Sequence, residues 1–330
     1  MEAGDGHQVY VVTEELERSV WLRGNPTTVP GNLLEQCRRR LYGALPGMTG
    51  AELIVLREAL LREALNAKVR EVCSELEQPF VVSMTHYTEE PDAEIHATRV
   101  AICDHSGTWT KSELSVARPG FPSLPEQVAA IAIRASGKDV VLVDDGIWSG
   151  GTTEKIVSLF GEYFAPVKRI VVGVVANRKE LEDPEKGRPH VAEMCFGVHE
   201  WPKSDGQRVL DWIDERDFYI GPQGFGRTLG LSGLRAPHPR GIAVPYSFPH
   251  GVPGGEDGGW ASIDMRELKN FSRLVIELSD QLLAGLEELV GRVIRVHDLY
   301  TTPYGMHMTP NRSVRECLGE WLAAHPSLQP

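Results

Sequence analysis

Between residues 79 and 200 the chain repeats one pattern, a short apolar run rich in β-branched residues followed by a polar or amphipathic stretch. The runs are "PFVVSMT", "TRVAIC", "DVVLVDD", "KRIVVGVVA" and "VAEMCFGV". Continuous apolar runs of this length read as strands buried on both faces. "PEQVAAIAIRAS" precedes the third run, "TTEKIVSLFGEYF" follows it, and both carry helical periodicity. Strands alternating with helices pack as a parallel sheet covered on both sides, because a parallel neighbour is reached only through a long crossover. The pattern therefore predicts an α/β core. Its longest interruption, "DHSGTWTKSELSVARPGFPSLP" at 104–125, is rich in turn residues and predicts a long loop, either a cover over a site or a disordered link.

The flanks read differently. Residues 31–76 predict two helices, the first capped by Asn32 and running from 33 to about 45. "TGAE", Thr49 to Glu52, has capping-box spacing and predicts the start of the second. Its apolar stripe is Leu53, Leu56, Leu60, Leu61, Leu65, Val69 and Val72. Beyond residue 230, "RAPHPRGIAVPYSFPHGVPGGEDGGWAS" is dense in Pro and Gly and predicts a linker or an irregular covering loop. A last helix follows, with Asp264 and Glu267 as its capping box. Leu268, Phe271, Val275, Leu278, Leu282, Leu286 and Leu289 form its stripe, and Gly291 its stop. The chain thus divides into an N-terminal helical region (1–77), an α/β core (78–235) and a linker with a C-terminal helical extension (236–330).

Composition excludes several classes of partner. Lys plus Arg number 34 against 46 Asp plus Glu, a formal net charge of -12, and a surface of that sign repels a phosphate backbone, so nucleic acid is not the expected partner. The sequence has no run of about 18 apolar residues and no basic leader ahead of an apolar stretch, which predicts a cytoplasmic protein with no membrane partner. Cys37, Cys73, Cys103, Cys195 and Cys317 are odd in number and show no C-x-x-C spacing. Free, buried thiols are expected rather than disulfides or a zinc site. The histidines, among them His86, His199 and His307, show no metal-ligand spacing either.

The stretch that carries chemistry is "VVLVDDGIWSGGTT", Val140 to Thr153. Val140 to Val143 fit a buried strand, so Asp144 and Asp145 fall at its carboxyl end, where open α/β sheets bind ligands. Ser149, Gly150, Gly151 and Thr152 then form a turn whose backbone N–H groups converge ahead of a helix, an arrangement suited to phosphate. Two carboxylates beside a phosphate need hydroxyls or a cation to face. A sugar phosphate with a vicinal diol satisfies both halves. A receiver domain also ends a strand in paired aspartates, but "IVVGVVANRKE" offers no further Asp for phosphorylation. A dinucleotide fingerprint would need G-x-G-x-x-G directly after the strand, and "DDGIWSGG" lacks it.

Asp144-Asp145-Gly146-Ile147-Trp148-Ser149-Gly150-Gly151-Thr152, after four apolar strand residues, resembles the phosphoribosyl-diphosphate (PRPP) motif of the type I phosphoribosyltransferases. The resemblance implies a phosphoribosyltransferase-like parallel-sheet core with helical N- and C-terminal additions. It implies transfer of the 5-phosphoribosyl group of PRPP to an unidentified base-like acceptor, with Mg²⁺ carried by PRPP rather than held by protein side chains, and a homodimer. Asp144 and Asp145 would hold the ribose hydroxyls; Ser149, Gly150, Gly151, Thr152 and Thr153 would hold the 5′-phosphate. The 104–125 segment matches the family's flexible lid in position, and its cations Lys111 and Arg118 either stabilise departing pyrophosphate or are solvated loop charges. In "DERDFYIGPQGFGRTLG", Asp214 to Gly230, either Phe218 or Tyr219 stacks on the base and Arg227 reaches the diphosphate, or the aromatics are core residues before a glycine-rich turn. Where the family carries a pyrophosphate loop with Gly and Arg or Lys, this chain reads "SMTHYTEEPD", Ser83 to Asp92, acidic and without glycine. That departure favours an alternative, a non-catalytic module with the same fold that senses PRPP or a nucleotide.

Overall fold

The computed structural model describes residues 7–19, 21–23, 28–103, 109–118, 121–176, 178–181, 191, 193–201, 207–222, 227–231, 242–243, 261–264, 266–300, 302–303, 306 and 309–324. The strands are β1 (Gln8–Glu14), β2 (Glu52–Arg57), β3 (Pro79–Ser83), β4 (Ala93–Glu94), β5 (Ala97–Cys103), β6 (Trp109–Ala117), β7 (Asp139–Ile147), β8 (Val167–Val175), β9 (Cys195–Glu200), β10 (Arg208–Asp214), β11 (Arg227–Leu231), β12 (Ile242–Ala243) and β13 (Thr302–Pro303). The α-helices are α1 (Gly31–Thr49), α2 (Glu58–Ser74), α3 (Leu124–Arg134), α4 (Gly151–Glu162), α5 (Arg178–Leu181), α6 (Leu268–Val290) and α7 (Val314–Ala324). They pack into two units that interleave along the chain. Unit 1 holds residues 1–8, 56–98 and 115–209, and unit 2 holds residues 9–55, 99–114 and 210–330.

Unit 1 is the α/β core. Its sheet is five-stranded, in the order β4-β3-β7-β8-β9, and all four neighbouring pairs are parallel. Val140, Val141, Leu142 and Val143 are all fully buried, as a central parallel strand requires. On one face Val140, Leu142, Ile170 and Val172 pack with Leu124, Val128 and Ile131 of α3 and Ile156 and Phe160 of α4. The other face belongs to α2, whose Leu61 comes so close over β8 that a side chain at Gly173 would lie 2.8 Å from its Cδ1 and 2.7 Å from the Asp145 carbonyl. α3 starts from a capping box in which Glu126 closes back on Ser123.

Unit 2 contains α1, α6 and α7 and most of two further sheets, ordered β10-β1-β2 and β13-β12-β11-β5-β6. Its apolar core is built from Leu34, Leu41 and Leu45 of α1, Phe271, Val275, Leu282 and Leu286 of α6, and Val314 and Leu318 of α7. Buried ion pairs sit inside it, Arg216 with Glu15 at 2.6 Å and Arg38 with Glu215. The guanidinium of Arg38 donates to both carboxylate oxygens of Glu215 at 2.8 and 2.7 Å, with Arg38 4% exposed and Glu215 0%. Among the described residues no helix is long and apolar enough to cross a membrane. Cys37, Cys73, Cys195 and Cys317 are free, and burial pushes the Cys37 thiol up to about 11 and that of Cys195 up to about 12.

Several expectations are corrected. α1 runs to Thr49 and is preceded by Pro30 rather than capped by Asn32. "TGAE" does not start a helix: Gly50, left-handed at φ 70°, ends α1, and Leu53 and Leu56 belong to strand β2. α2 starts only at Glu58, and Leu60 faces solvent. "TRVAIC" forms β5, which pairs in parallel with β11 and not with the core sheet; the fifth core strand is the two-residue β4. The 104–125 segment is no continuous loop, since β6 fills 109–117 and α3 starts at 124; residues 104–108 and 119–120 lie outside those described. α6 begins at Leu268 with no side-chain cap, and Leu289 of its stripe is exposed. Most of the Pro/Gly-rich stretch lies outside the described residues.

Candidate functional site

The core sheet's order fixes where a ligand can enter. From β3 the chain moves outward to β4 and then returns past β3 to β7, so the direction of winding reverses between β3 and β7. Beyond the carboxyl ends of such a pair the connections diverge and leave a crevice. β3 pairs with β7 only as far as Ser83 opposite Val143, and Met84 N–H closes the ladder on the Val143 carbonyl at 2.8 Å. β7 continues to Ile147, paired on its other side with β8 up to Val175. Asp144 and Asp145 therefore lie on the part of β7 that outruns its neighbour.

Because both aspartates are still within the strand, alternation sends their side chains to opposite faces. Asp144 is level with Val172 and shares the face covered by α3 and α4; Asp145 shares the α2 face. Asp144 is buried, and its Oδ1 accepts the Asp145 N–H at 3.0 Å. Asp145 is half-buried. The sequence reading treats the pair as one diol clamp, and strand geometry gives each a separate side.

After Ile147 the chain turns through Trp148 and Ser149 to Gly150, which caps α4 at φ 76°. A side chain there would be strained, and glycine adopts this conformation without penalty. No side chain caps α4, while Glu154 N–H already reaches the Gly150 carbonyl at 2.8 Å. The N–H groups of Gly151, Thr152 and Thr153 open the helix, the end that attracts anions. Gly151 and Thr152 are half-buried and Thr153 is buried. Two residues join them that the sequence reading missed. Ser115, near the end of β6, has its hydroxyl 2.8 Å from Thr152 Oγ1, and Lys155 donates from Nζ to the Ser115 carbonyl at 2.7 Å. No local signal marks Ser115, which lies in a stretch that reads as loop.

The loop after β3 is tied down. Met84 N–H is used in the sheet, Thr85 N–H goes to Ser83 Oγ, Tyr87 N–H to Thr85 Oγ1 and Glu89 N–H to Asn66 Oδ1. Ser83 Oγ also donates to the Thr85 carbonyl, and Asn66 Nδ2 to the Tyr87 carbonyl. Asp92 accepts the Val81 N–H. Asn66 of α2 and the loop's own Ser83 and Thr85 hydroxyls thus hold the loop, and four amides that could face a diphosphate already have partners.

The remaining expected site residues fare differently. Arg118 is held at the base of the β5–β6 excursion, where its N–H reaches the His96 carbonyl at 2.8 Å and its Nε the Ala97 carbonyl at 2.9 Å. Phe218 and Tyr219 lie in the core of unit 2, at 0% and 3% exposure, with Phe218 edge-on to Phe271 at 5.8 Å. A ring enclosed in this way has no face left for a base, so the core reading of these two aromatics holds. Lys111 is in β6 and Arg227 in β11, and the side chains of both fall outside the described residues.

By fold the chain is a parallel α/β protein with its candidate crevice at the β3/β7 switch point. No protein-family model, curated protein or solved structure matches it.

Proposed function

We propose that the crevice at the end of β7 binds PRPP and that the protein transfers its 5-phosphoribosyl group to a nitrogen of a base-like acceptor, releasing pyrophosphate. The observation that carries this reading is the juxtaposition on one strand-to-helix connection of two carboxylates, a left-handed glycine and an uncapped helix start. Asp144 shares a face of the sheet with α4, which favours it as the acceptor for the ribose hydroxyls, while the α4 amides with Ser149 and Thr152 take the 5′-phosphate. Holding the ribose at both ends makes the binding energy of the remote phosphate usable at the anomeric carbon. There the bond to the diphosphate oxygen breaks, its electron pair leaves with pyrophosphate, and the acceptor nitrogen forms the new C–N bond and loses its proton. Carboxylates nearby stabilise the positive charge that develops on the sugar. Mg²⁺ brought by the diphosphate would meet oxygen donors such as the Asp145 carboxylate, the ligand type that a hard cation takes, and would neutralise the leaving group.

The tied loop 84–89 favours a second reading, binding without turnover. With four of its amides committed, the loop offers a diphosphate less to hold. Calorimetric titration of PRPP with Mg²⁺ tests the binding that both readings share. Asp144→Asn and Asp145→Asn are each expected to weaken it about tenfold or more, as lost hydrogen bonds to charged groups do. Unchanged affinity in both variants sinks the assignment. Pyrophosphate release with any of a panel of purine, pyrimidine and nicotinamide-like acceptors separates enzyme from sensor.

A further inference from the structure

The segment Trp148–Lys155 contains one acidic residue, Glu154, and one cation, Lys155, and it follows two aspartates. Three carboxylates thus lie within twelve residues of the place where the proposed function puts a phosphate. A helix start supplies about half a positive charge, less than a phosphate dianion carries among carboxylates. A full cation is needed, and side chains on a helix lean toward its N-terminus, so one at the fifth position of α4 reaches back over the first turn.

Lys155 does so. Its Nζ lies 2.7 Å from the Ser115 carbonyl, and the hydroxyl of that same serine meets Thr152 Oγ1 at 2.8 Å. One residue thus connects the ammonium to the first turn of α4. The hydroxyl pair is indifferent to direction, since either oxygen can donate, and so either can turn its proton toward an arriving oxyanion. The ammonium has three donors and the carbonyl occupies one of them.

We infer that Lys155 and Ser115 complete the phosphate end of the site, which thereby selects a phosphate dianion over the unphosphorylated sugar. The inference rests on the proposed reading of the crevice as a ribose-phosphate site and adds to it a cation and a hydroxyl from a strand outside the core sheet. Lys155 provides the charge. Ser115 holds the ammonium through its carbonyl and presents its hydroxyl beside that of Thr152.

Titration of ribose 5-phosphate, and separately of ribose, into the full chain tests this. Lys155→Met is expected to weaken ribose 5-phosphate about tenfold or more, Lys155→Arg to restore most of the loss, and Ser115→Ala to weaken it about threefold, with ribose unaffected by all three. Thermal melts guard against misfolding, and as Lys155 is exposed its variants are expected to melt with the wild type. If the wild type binds ribose 5-phosphate and Lys155→Met binds it equally well, the inference is overturned while the site reading stands. If the wild type does not bind ribose 5-phosphate at all, the site reading fails and the inference with it.

Discussion

His96 closes the base of the β5–β6 excursion. Its ring stacks on Phe121 at 3.7 Å, its backbone N–H donates to Gln127 Oε1, and Glu94 lies 3.6 Å from Nε2. Burial, then the nearby Arg118 charge, hold its imidazole below the usual value of 6.5, with Glu94 opposing them. The unfolded chain therefore takes up this proton more readily than the folded one. Stability from this residue is whole above pH 6.5 and falls as the pH drops below it. Melting temperatures at about pH 7.5 and about pH 5.5 are expected to differ less for His96→Gln than for the wild type. An identical shift in the two proteins would refute the role. Phe218 and Tyr219 teach the converse lesson at this scale: an aromatic beside a glycine-rich turn reads alike in a core and in a binding site, and only burial separates the two.

At the scale of elements, α4 depends on its first residues. Gly150→Ala forces a side chain into the left-handed region and is expected to lower stability by about 1–2 kcal/mol. Gly151→Ala meets no atom within 4 Å and leaves stability unchanged or raises it by up to about 1 kcal/mol. Urea denaturation of the two variants checks the contrast, and equal destabilisation would argue against the turn as described. This connection was legible in the sequence because strand, carboxylates and glycines announce themselves within fourteen residues. β2 was not, because its interior residues are all half-buried, so it lacks the alternation that marks a strand, and Leu53 and Leu56 also fit helical spacing. β4 is too short to show any period. β5 reads as a strand but not as a member of its own sheet, since its partner β11 begins more than a hundred residues later in the chain and no local pattern encodes that pairing. Ser115 was hidden for the same reason: its value comes from meeting Thr152, 37 residues away.

At the scale of the whole molecule, the buried Arg38–Glu215 pair joins α1 to the turn after β10 inside unit 2. Glu215→Gln leaves the buried guanidinium with Glu17, at 2.9 Å, as its hydrogen-bonded carboxylate, so the expected loss is at or below the ~3–5 kcal/mol typical when one partner of a buried pair is removed. Arg38→Met combined with Glu215→Leu removes both charges and is expected to recover much of that loss. A double variant no more stable than Glu215→Gln, measured by thermal melting, would show that the carboxylate has a further role.

The two units also share one thread in an unusual manner. The backbone passes from one to the other at 8/9, 55/56, 98/99, 114/115 and 209/210. A gene fragment ending anywhere between 9 and 208 leaves both bodies incomplete, and the shortest stretch that keeps all of unit 1, residues 1–209, also carries β1, α1 and β2 stripped of the helices that bury them. Deletion mapping up to residue 209 would therefore report damage to both bodies, and responsibility for any activity is better traced by single substitutions in the intact chain.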